Sequence, residues 1–439
     1  MSAHWAALLI DDACSSLPRT DPLGISVWAL QFTPRVAKTD HAVLLEVEQS
    51  LRLFGGEESM HRLVEAGAAE LGVSRLAWAP TGLAALACAR AGKPDGFAGP
   101  IAKVLDTLPF ECIDAVGAHG ATLARLGCKT LADVRKLPRG GISRRFDGQL
   151  LLALDQAYGL RPESYPWVRL PETFLARLEL PGRVETAPAL MFGARRLLVQ
   201  MGGWLAARHL GVTAFTLHWC HDTMRSKYAG DGGEVTVRTA HPTQNVDHLT
   251  QLLSENLVKV TLKAPAGELM LSAQEVTRFL ERGRSLIPDD RAAGEAIDLV
   301  LERIEARLGK KRVLRPLLTE DTRLEWMSHW QPVNAKRALA KVRQVPGPQP
   351  TWILKTPLRL DVMNERPLYQ GPLQLLLGPE RVEGGWWHRV VDAEGKQQTL
   401  SVSRDYWVAL SQHAGALWIF QQRLTKDMPS SWFLHGLFA

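Results

Sequence analysis

The chain has 439 residues, of which 46% are hydrophobic and 22% charged, and its formal charge is +6. That length and balance suit a folded protein of roughly three domains and exclude a peptide, a charged tail or a low-complexity rod, while so small a basic surplus favours a polyanionic partner only weakly. Cys14, Cys88, Cys112, Cys128 and Cys220 form no C-x-x-C pair, no apolar run reaches the ~18 residues of a membrane span, and the opening MSAHWAALLIDDACSS lacks a basic n-region, so a reducing, cytoplasmic setting is expected.

Residues 1–100 alternate strand and helix. The apolar run ALLI precedes Asp11 and Asp12, a strand is expected over Ala42–Val47, a helix over Glu58–Leu71 closed near Gly72, a strand over Ser74–Trp78 and a helix within APTGLAALACARAGKPDG, Ala79–Gly96. Residues 101–165 change to short helices, and here Lys129, Arg135, Lys136, Arg139, Arg144 and Arg145 face Asp133 alone. A one-sided charge cluster is either a solvated helical face or an electrostatic footprint for DNA phosphate.

Pro166 and Pro171 mark a linker into residues 172–316, where FLARLEL, GVTAFTLHW, GEVTVRT and GELMLSA read as strands and Ala187–Leu210 as an amphipathic helix. Arg195, Arg196, Arg208, Lys227 and Arg238 are candidates for phosphate contact. His209, His218, His221, His241 and His248 repeat no ligand spacing, so no metal is assigned. Residues 317–350 are basic and then proline-rich, a linker pattern. Residues 351–439 carry short alternating runs typical of an antiparallel β module, and eight of the fourteen tryptophans follow residue 325. Among them Trp386, Trp387 and Trp407 have two readings, stacking platforms for single-stranded DNA or core side chains.

The segment VLLEVEQSLRLFGG, Val43–Gly56, resembles the palm strand of Y-family translesion DNA polymerases, which carries an Asp-Glu pair just before an apolar run. With Glu46 set on the Asp that closes that run, the catalytic pair falls on His41 and Ala42. Neither imidazole nor methyl supplies the hard oxygens that hold Mg²⁺ against a triphosphate. Ala79–Gly96 is similar, without a gap, to the family segment whose two lysines lie near the incoming triphosphate; these positions are Gly82 and Leu86, and a family Asp becomes Arg90. In the helix-hairpin-helix thumb, the two turn glycines that let a backbone approach phosphate fall on Asp114 and Val116, with Gly117 and Gly120 nearby. The stretch before residue 42 is too short for a fingers subdomain.

The strings GPERVEGGWW, RDYWVAL and WFLHGLFA resemble the C-terminal signature of ImuB-type proteins, the catalytically degenerate Y-family branch of bacterial SOS mutagenesis. The resemblance implies an α+β multidomain protein: a Y-family polymerase-like partial palm without fingers (1–100), a helix-hairpin-helix thumb (101–165), a little-finger domain on DNA (172–316), a linker (317–350) and a small C-terminal β-rich protein-interaction module (351–439). It further implies a noncatalytic scaffold without a cofactor, binding damaged or primer-template DNA together with the sliding clamp, RecA-like ImuA and an error-prone DnaE-type polymerase. For the clamp, Arg284, Ser285, Leu286 and Ile287 form a degenerate candidate peptide, and Gln374–Gly378 (QLLLG) competes but reads more simply as a buried strand. Two other readings stand beside the scaffold. One is a residually active polymerase built on Asp11, Asp12, Asp40 and Glu46; the other is a stand-alone DNA-repair factor.

Overall fold

Two apolar runs, β1 (Trp5–Leu9) and β3 (Ala42–Glu46), have every residue buried and pair antiparallel at the centre of a four-stranded sheet. The computed structural model describes residues 3–10, 21–73, 75–221, 230–279, 297–309, 311–319, 321–333, 348–391, 397–423 and 431–438, in two units, Met1–Arg307 and Leu308–Ala439. Between the two central strands lie α1 (Pro22–Ala29) and β2 (Val36–Lys38), the latter at one edge of the sheet; after them come α2 (Glu57–Glu70), the other edge strand β4 (Arg75–Ala79) and α3 (Gly82–Arg90). Ala7, Leu9, Ala42, Leu44 and Ala77 share a core with α3, whereas Leu8, Val43, Leu45 and Val47 pack on Trp28 of α1 and on Met60 and Val64 of α2. Burial on both faces explains why these strands read as continuous rather than alternating apolar runs. The strand β1, which takes in most of the apolar run before Asp11, is therefore one of the two central strands; Asp11 and Asp12 themselves lie outside the described residues.

The short helices α4 (Ile101–Asp106), α5 (Asp114–Gly117), α6 (Gly120–Arg125), α7 (Leu131–Lys136), α8 (Arg139–Arg145) and α9 (Gly148–Ala157) follow. Thr130 and Asp133 form a capping box that starts α7. Leu105, Val116, Leu123, Val134, Ile142 and Leu150 join the same hydrophobic cluster as α3, so this helical region and the first sheet share one core. The following linker is tied down: the Val168 N–H donates to the Val36 carbonyl at 2.8 Å, and Trp167 bridges Ala37 on the edge strand β2.

A second four-stranded antiparallel sheet is made by β5 (Leu175–Val184), β6 (Leu210–His221), β7 (Gly232–Thr243) and β8 (Ala266–Arg278), in the order β5-β8-β6-β7. Its inner face packs on α10 (Met191–Arg208) and α11 (Val246–Leu257), and α12 (Ile297–Leu308) adds a buried ion pair, His248 Nε2 to Glu302 at 2.7 Å. Helix α10 also packs against α1 of the first sheet. There Gly203 lies so close that a Cβ would stand 2.8 Å from the Trp28 Cα and 2.9 Å from its carbonyl oxygen.

The second unit opens with the hairpin β9 (Leu314–Leu318) and β10 (Ser328–Pro332), so strands occupy part of the stretch expected to be a linker. A six-stranded antiparallel sheet follows, from β11 (Trp352–Met363), β12 (Arg366–Leu368), β13 (Gln374–Gly384), β16 (Val402–Ser411), β17 (Gly415–Gln422) and β18 (Ser431–Leu437), in the order β12-β11-β18-β17-β16-β13. The small hairpin β14 (Arg389–Val391) and β15 (Gln397–Thr399) interrupts it. One expectation fails here, and one open choice is narrowed. QLLLG is a strand but not a buried one: β13 is the sheet edge, and Leu375, Leu376 and Leu377 are 39%, 54% and 55% exposed. Trp386 and Trp387, 74% and 55% exposed, sit in the turn after β13 rather than in the core. Polar groups are buried instead. Tyr406 donates or accepts at 2.8 Å with His435 Nδ1, and Arg404 reaches both the Tyr406 hydroxyl and the Glu325 carboxylate.

Two measurements check these packing arguments. Gly203→Ala replaces a weak helix former by a strong one yet is expected to cost about 2–3 kcal/mol, because backbone cannot yield to the new methyl. Gly141→Ala in α8, where a Cβ meets nothing within 4 Å, is expected to stabilise by up to ~1 kcal/mol in the same thermal melts. Burial pushes the His435 imidazole down from 6.5 to about 4, with Glu325 opposing and Arg404 assisting. The unfolded chain then binds the extra proton first, so the second unit loses stability as pH falls from about 6.5 toward about 4, on the order of 3 kcal/mol in all. Glu325, held below its usual range despite its burial by its hydrogen bond to Arg404, acts in the same direction at lower pH. Melts of His435→Gln are expected to show a flatter pH profile.

Candidate functional site

Position 42 lies at the start of β3 opposite Leu9, and the Ile10 N–H donates to the His41 carbonyl at 2.8 Å. The Ala42 methyl is fully buried and His41 is exposed at the strand end. On this face of the described sheet the residues are Trp5, Ala7, Leu9, Ala37, Ala42, Leu44, Glu46, Arg75, Ala77 and Ala79, with one carboxylate among them. That carboxylate is committed elsewhere. Glu46 stands four residues along the strand from Ala42, about 13 Å away, and pairs with Arg35 Nη1 at 2.6 Å.

The second position singled out in the sequence, Gly82, is closed by the chain itself. Helix α3 starts at Gly82, with Thr81 capping the Ala84 N–H. The Gly82 and Leu83 N–H groups donate to the two carboxylate oxygens of Glu163 at 2.7 and 2.8 Å. A helix N-terminus is the natural seat for a phosphate, since free N–H groups and the helix dipole both favour an anion. Here the chain's own carboxylate takes that seat. A Cβ at position 82 would meet Glu163 Oε2 and the Tyr165 hydroxyl at 3.0 Å and Trp5 at 3.1 Å, so the site has little room for a longer side chain. Burial raises the Glu163 carboxyl above its usual range, while the Leu83 and Gly82 N–H groups pull it back. Leu86 is buried in the shared core.

Asp114, the position expected to align with a turn glycine, accepts from Arg90, which also donates to the Cys112 carbonyl at 3.0 Å. Arg90 and Asp114 thus meet as an ion pair, at 2.7 Å. Val116 is fully buried, and the Val116 and Gly117 N–H groups both donate to the Ile113 carbonyl, so they are turned inward rather than toward a phosphate. Neither Gly117 nor Gly120 needs a positive φ; Gly127, at φ +81° after α6, does.

The basic cluster divides by its partners. Arg135 pairs with Asp106 and Arg139 with Asp155, each at 2.6 Å. Lys129, Lys136, Arg144 and Arg145 are exposed and have no ion-pair partner among the described residues. Arg195 bridges Glu70 at 3.2 Å and Asp247 at 3.0 Å, joining α10 to α2 and α11. Arg196 is only 6% exposed, its pKa lowered by that burial. These two, expected to meet phosphate, instead sit at the junction of the two sheets. The Arg208 guanidinium donates to the Pro171 carbonyl, Arg238 pairs with Glu275, and Lys227 lies outside the described residues, as do Arg284, Ser285, Leu286 and Ile287. The open face of the second sheet carries Arg177 and Arg238 beside Glu179, Glu234 and Glu268, a mixed rather than basic surface.

The histidines singled out in the sequence do not converge: His218 pairs with Glu234 and His248 with Glu302. Among the described residues the one group arranged to hold a cation is His4, Glu57 and His61, which sequence spacing does not reveal because His4 is distant from the other two. Glu163 is likewise missed by motif reading, since a linker glutamate has no signature.

A double-mutant cycle tests the filled helix terminus. Gly82→Ala is expected to destabilise by about 1–2 kcal/mol although alanine favours helix, and the cost is expected to shrink by more than ~0.5 kcal/mol when Glu163 is also Ala. Simple additivity in chemical denaturation would show that the two side chains do not compete for one space.

No family model matches the chain. It is 28% identical over 447 aligned residues to protein ImuB of Caulobacter vibrioides, in two strains, with 94% of this chain and 92% of the relative covered. Among solved structures, a Y-family DNA polymerase chimera of Dbh and Dpo4 matches at 15% identity and a TM-score of 0.27, covering 57% of this chain and 75% of that one. A DinB family error-prone DNA polymerase from Sulfolobus solfataricus matches at 12% identity and a TM-score of 0.29, covering 59% and 78%. These structural overlaps are partial, and the assignment rests on the relative that matches along nearly the whole sequence: the chain is a homologue of protein ImuB.

Proposed function

We propose that this chain is a noncatalytic accessory protein of translesion DNA synthesis, a cytoplasmic scaffold that grips primer-template DNA and leaves nucleotide chemistry to a partner. The observation that carries the reading is the Glu163 carboxylate on the first two N–H groups of α3, where an active relative would place a triphosphate beside lysine. Ala42 and the Arg35-paired Glu46 support it, because two-metal phosphoryl transfer needs at least two convergent carboxylates. They also weigh against a residually active polymerase using Glu46.

DNA is held through Lys129, Lys136, Arg144 and Arg145, whose charges are exposed and not spent on internal pairs. The inward-turned hairpin amides make this grip electrostatic and sequence-independent. Such binding is weak alone and becomes effective when tethering by a sliding clamp, ImuA and a DnaE-type polymerase raises the local concentration. For the clamp, the exposed edge strand at Gln374–Leu377 offers apolar side chains to a partner, alongside the candidate Arg284–Ile287. The second unit, with its free sheet edge, is the protein-binding module.

Fluorescence anisotropy on a primer-template tests the grip. Affinity is expected to fall steeply with salt, and Lys136→Ala/Arg144→Ala/Arg145→Ala to reduce the log–log slope by about 2–3, near 0.9 per lost phosphate contact. An unchanged slope would move the DNA interface elsewhere. Binding to DNA with no association to clamp or polymerase in a pull-down would favour the stand-alone repair factor.

A further inference from the structure

His4 leads into β1 and is buried, while Glu57 and His61 lie one turn apart on α2, the first exposed and the second half-buried. His4 Nε2 and His61 Nε2 face each other at 2.8 Å, and a Glu57 carboxylate oxygen completes three donor atoms that all lie within 4.8 Å of one another. Both rings are held in place by aromatic neighbours. His4 stacks on Phe97 at 4.6 Å and His61 on Trp78 at 3.9 Å, each with an interplanar angle of 11°. Trp78 is in turn anchored by its Nε1–H on Glu65 at 3.2 Å. Two imidazole nitrogens thus meet on the protein side, and an exposed carboxylate stands beside them.

We propose that His4, Glu57 and His61 form a binding site for one divalent cation of the zinc class, with water as the fourth ligand. Two imidazole nitrogens and one carboxylate oxygen suit Zn²⁺ or Co²⁺ in tetrahedral geometry, with bonds of about 2.0–2.2 Å, whereas Mg²⁺ seeks an oxygen shell. Bonds of that length place the two nitrogens about 3.3 Å apart, so the rings need separate by only about half an ångström. The competing arrangement is a direct His–His hydrogen bond, in which one Nε2–H donates to the other nitrogen; it and the cation exclude each other. The Val47 N–H donates to the His4 carbonyl, which puts this site at the end of β1 opposite Ile10 and His41. A strand of five residues, about 17 Å, therefore separates it from His41 and Ala42. The cation would clip the entry of the central strand β1 to α2, a structural role with water left in the fourth position.

The test is a Co²⁺ titration of the metal-free full chain, read by visible absorption, with Zn²⁺ competition and thermal melts alongside. One equivalent of Co²⁺ is expected to give a tetrahedral d–d band that Zn²⁺ abolishes, and Zn²⁺ is expected to raise the thermal midpoint. His61→Ala should remove the band. Glu57→Gln, which keeps both imidazoles and changes an exposed side chain, should weaken Co²⁺ binding at least ~10-fold, so the result does not depend on the fold tolerating a buried change. His413→Ala, a surface histidine of the second unit, should titrate as the parent does. No saturable band in the parent chain, or a band that survives both His61→Ala and Glu57→Gln, would overturn the proposal.

Discussion

The carboxylate of Glu163, bonded to the first two N–H groups of α3, holds together most of what distinguishes this molecule. A helix N-terminus at the edge of a sheet must be satisfied by water, a ligand or the chain itself. Here the chain does it, and the segment that carries the glutamate is fixed as a result. Tyr165 and Trp167 then stack near Trp5, with ring centroids 5.5 and 6.2 Å away, and Val168 extends the first sheet at β2. The linker becomes a wall of the first domain, and the N-terminus of α3 is closed by the chain's own carboxylate.

The same internal pairing recurs at other positions singled out in the sequence. Glu46 pairs with Arg35, and Arg90 with Asp114. A half-buried charge left without a partner costs more than the pair returns. Charged groups at these positions are spent on internal partners, and the sheet face is closed by packed side chains. The exposed charge that remains, on α7 and α8 and the residues beside them, is the kind that meets a backbone phosphate rather than a reacting one.

Much of this was legible in the sequence because it rests on local signals. The strands Ala42–Glu46 and Arg75–Ala79 and helix α2 fall within a residue or two of where apolar runs, acidic first turn and glycine place them. The cluster from Lys129 to Arg145 is exposed as its composition suggests. What stayed hidden depends on contacts far apart in sequence. Arg196 looks like any helix-surface arginine until α10 is seen packed on its exposed side by the first sheet's elements. Leu375–Leu377 read as core because strand position in a sheet, edge or centre, leaves no mark in a five-residue pattern. Trp386 and Trp387 follow Gly384 and Gly385, and the turn those glycines permit, with Gly385 at φ +82°, carries the rings out of the strand. Glu163 and His4 belong to no motif at all.

The central claim is that the polymerase-like domain binds without turning over, and Mg²⁺-dependent primer extension by the purified chain tests it most directly. The account predicts no extension at any Mg²⁺ or nucleotide concentration, in conditions where the same sample binds the primer-template. Extension that requires Mg²⁺ and disappears in Glu46→Gln or Asp40→Asn would contradict it, and would mean that the Arg35–Glu46 pair opens to build a metal site.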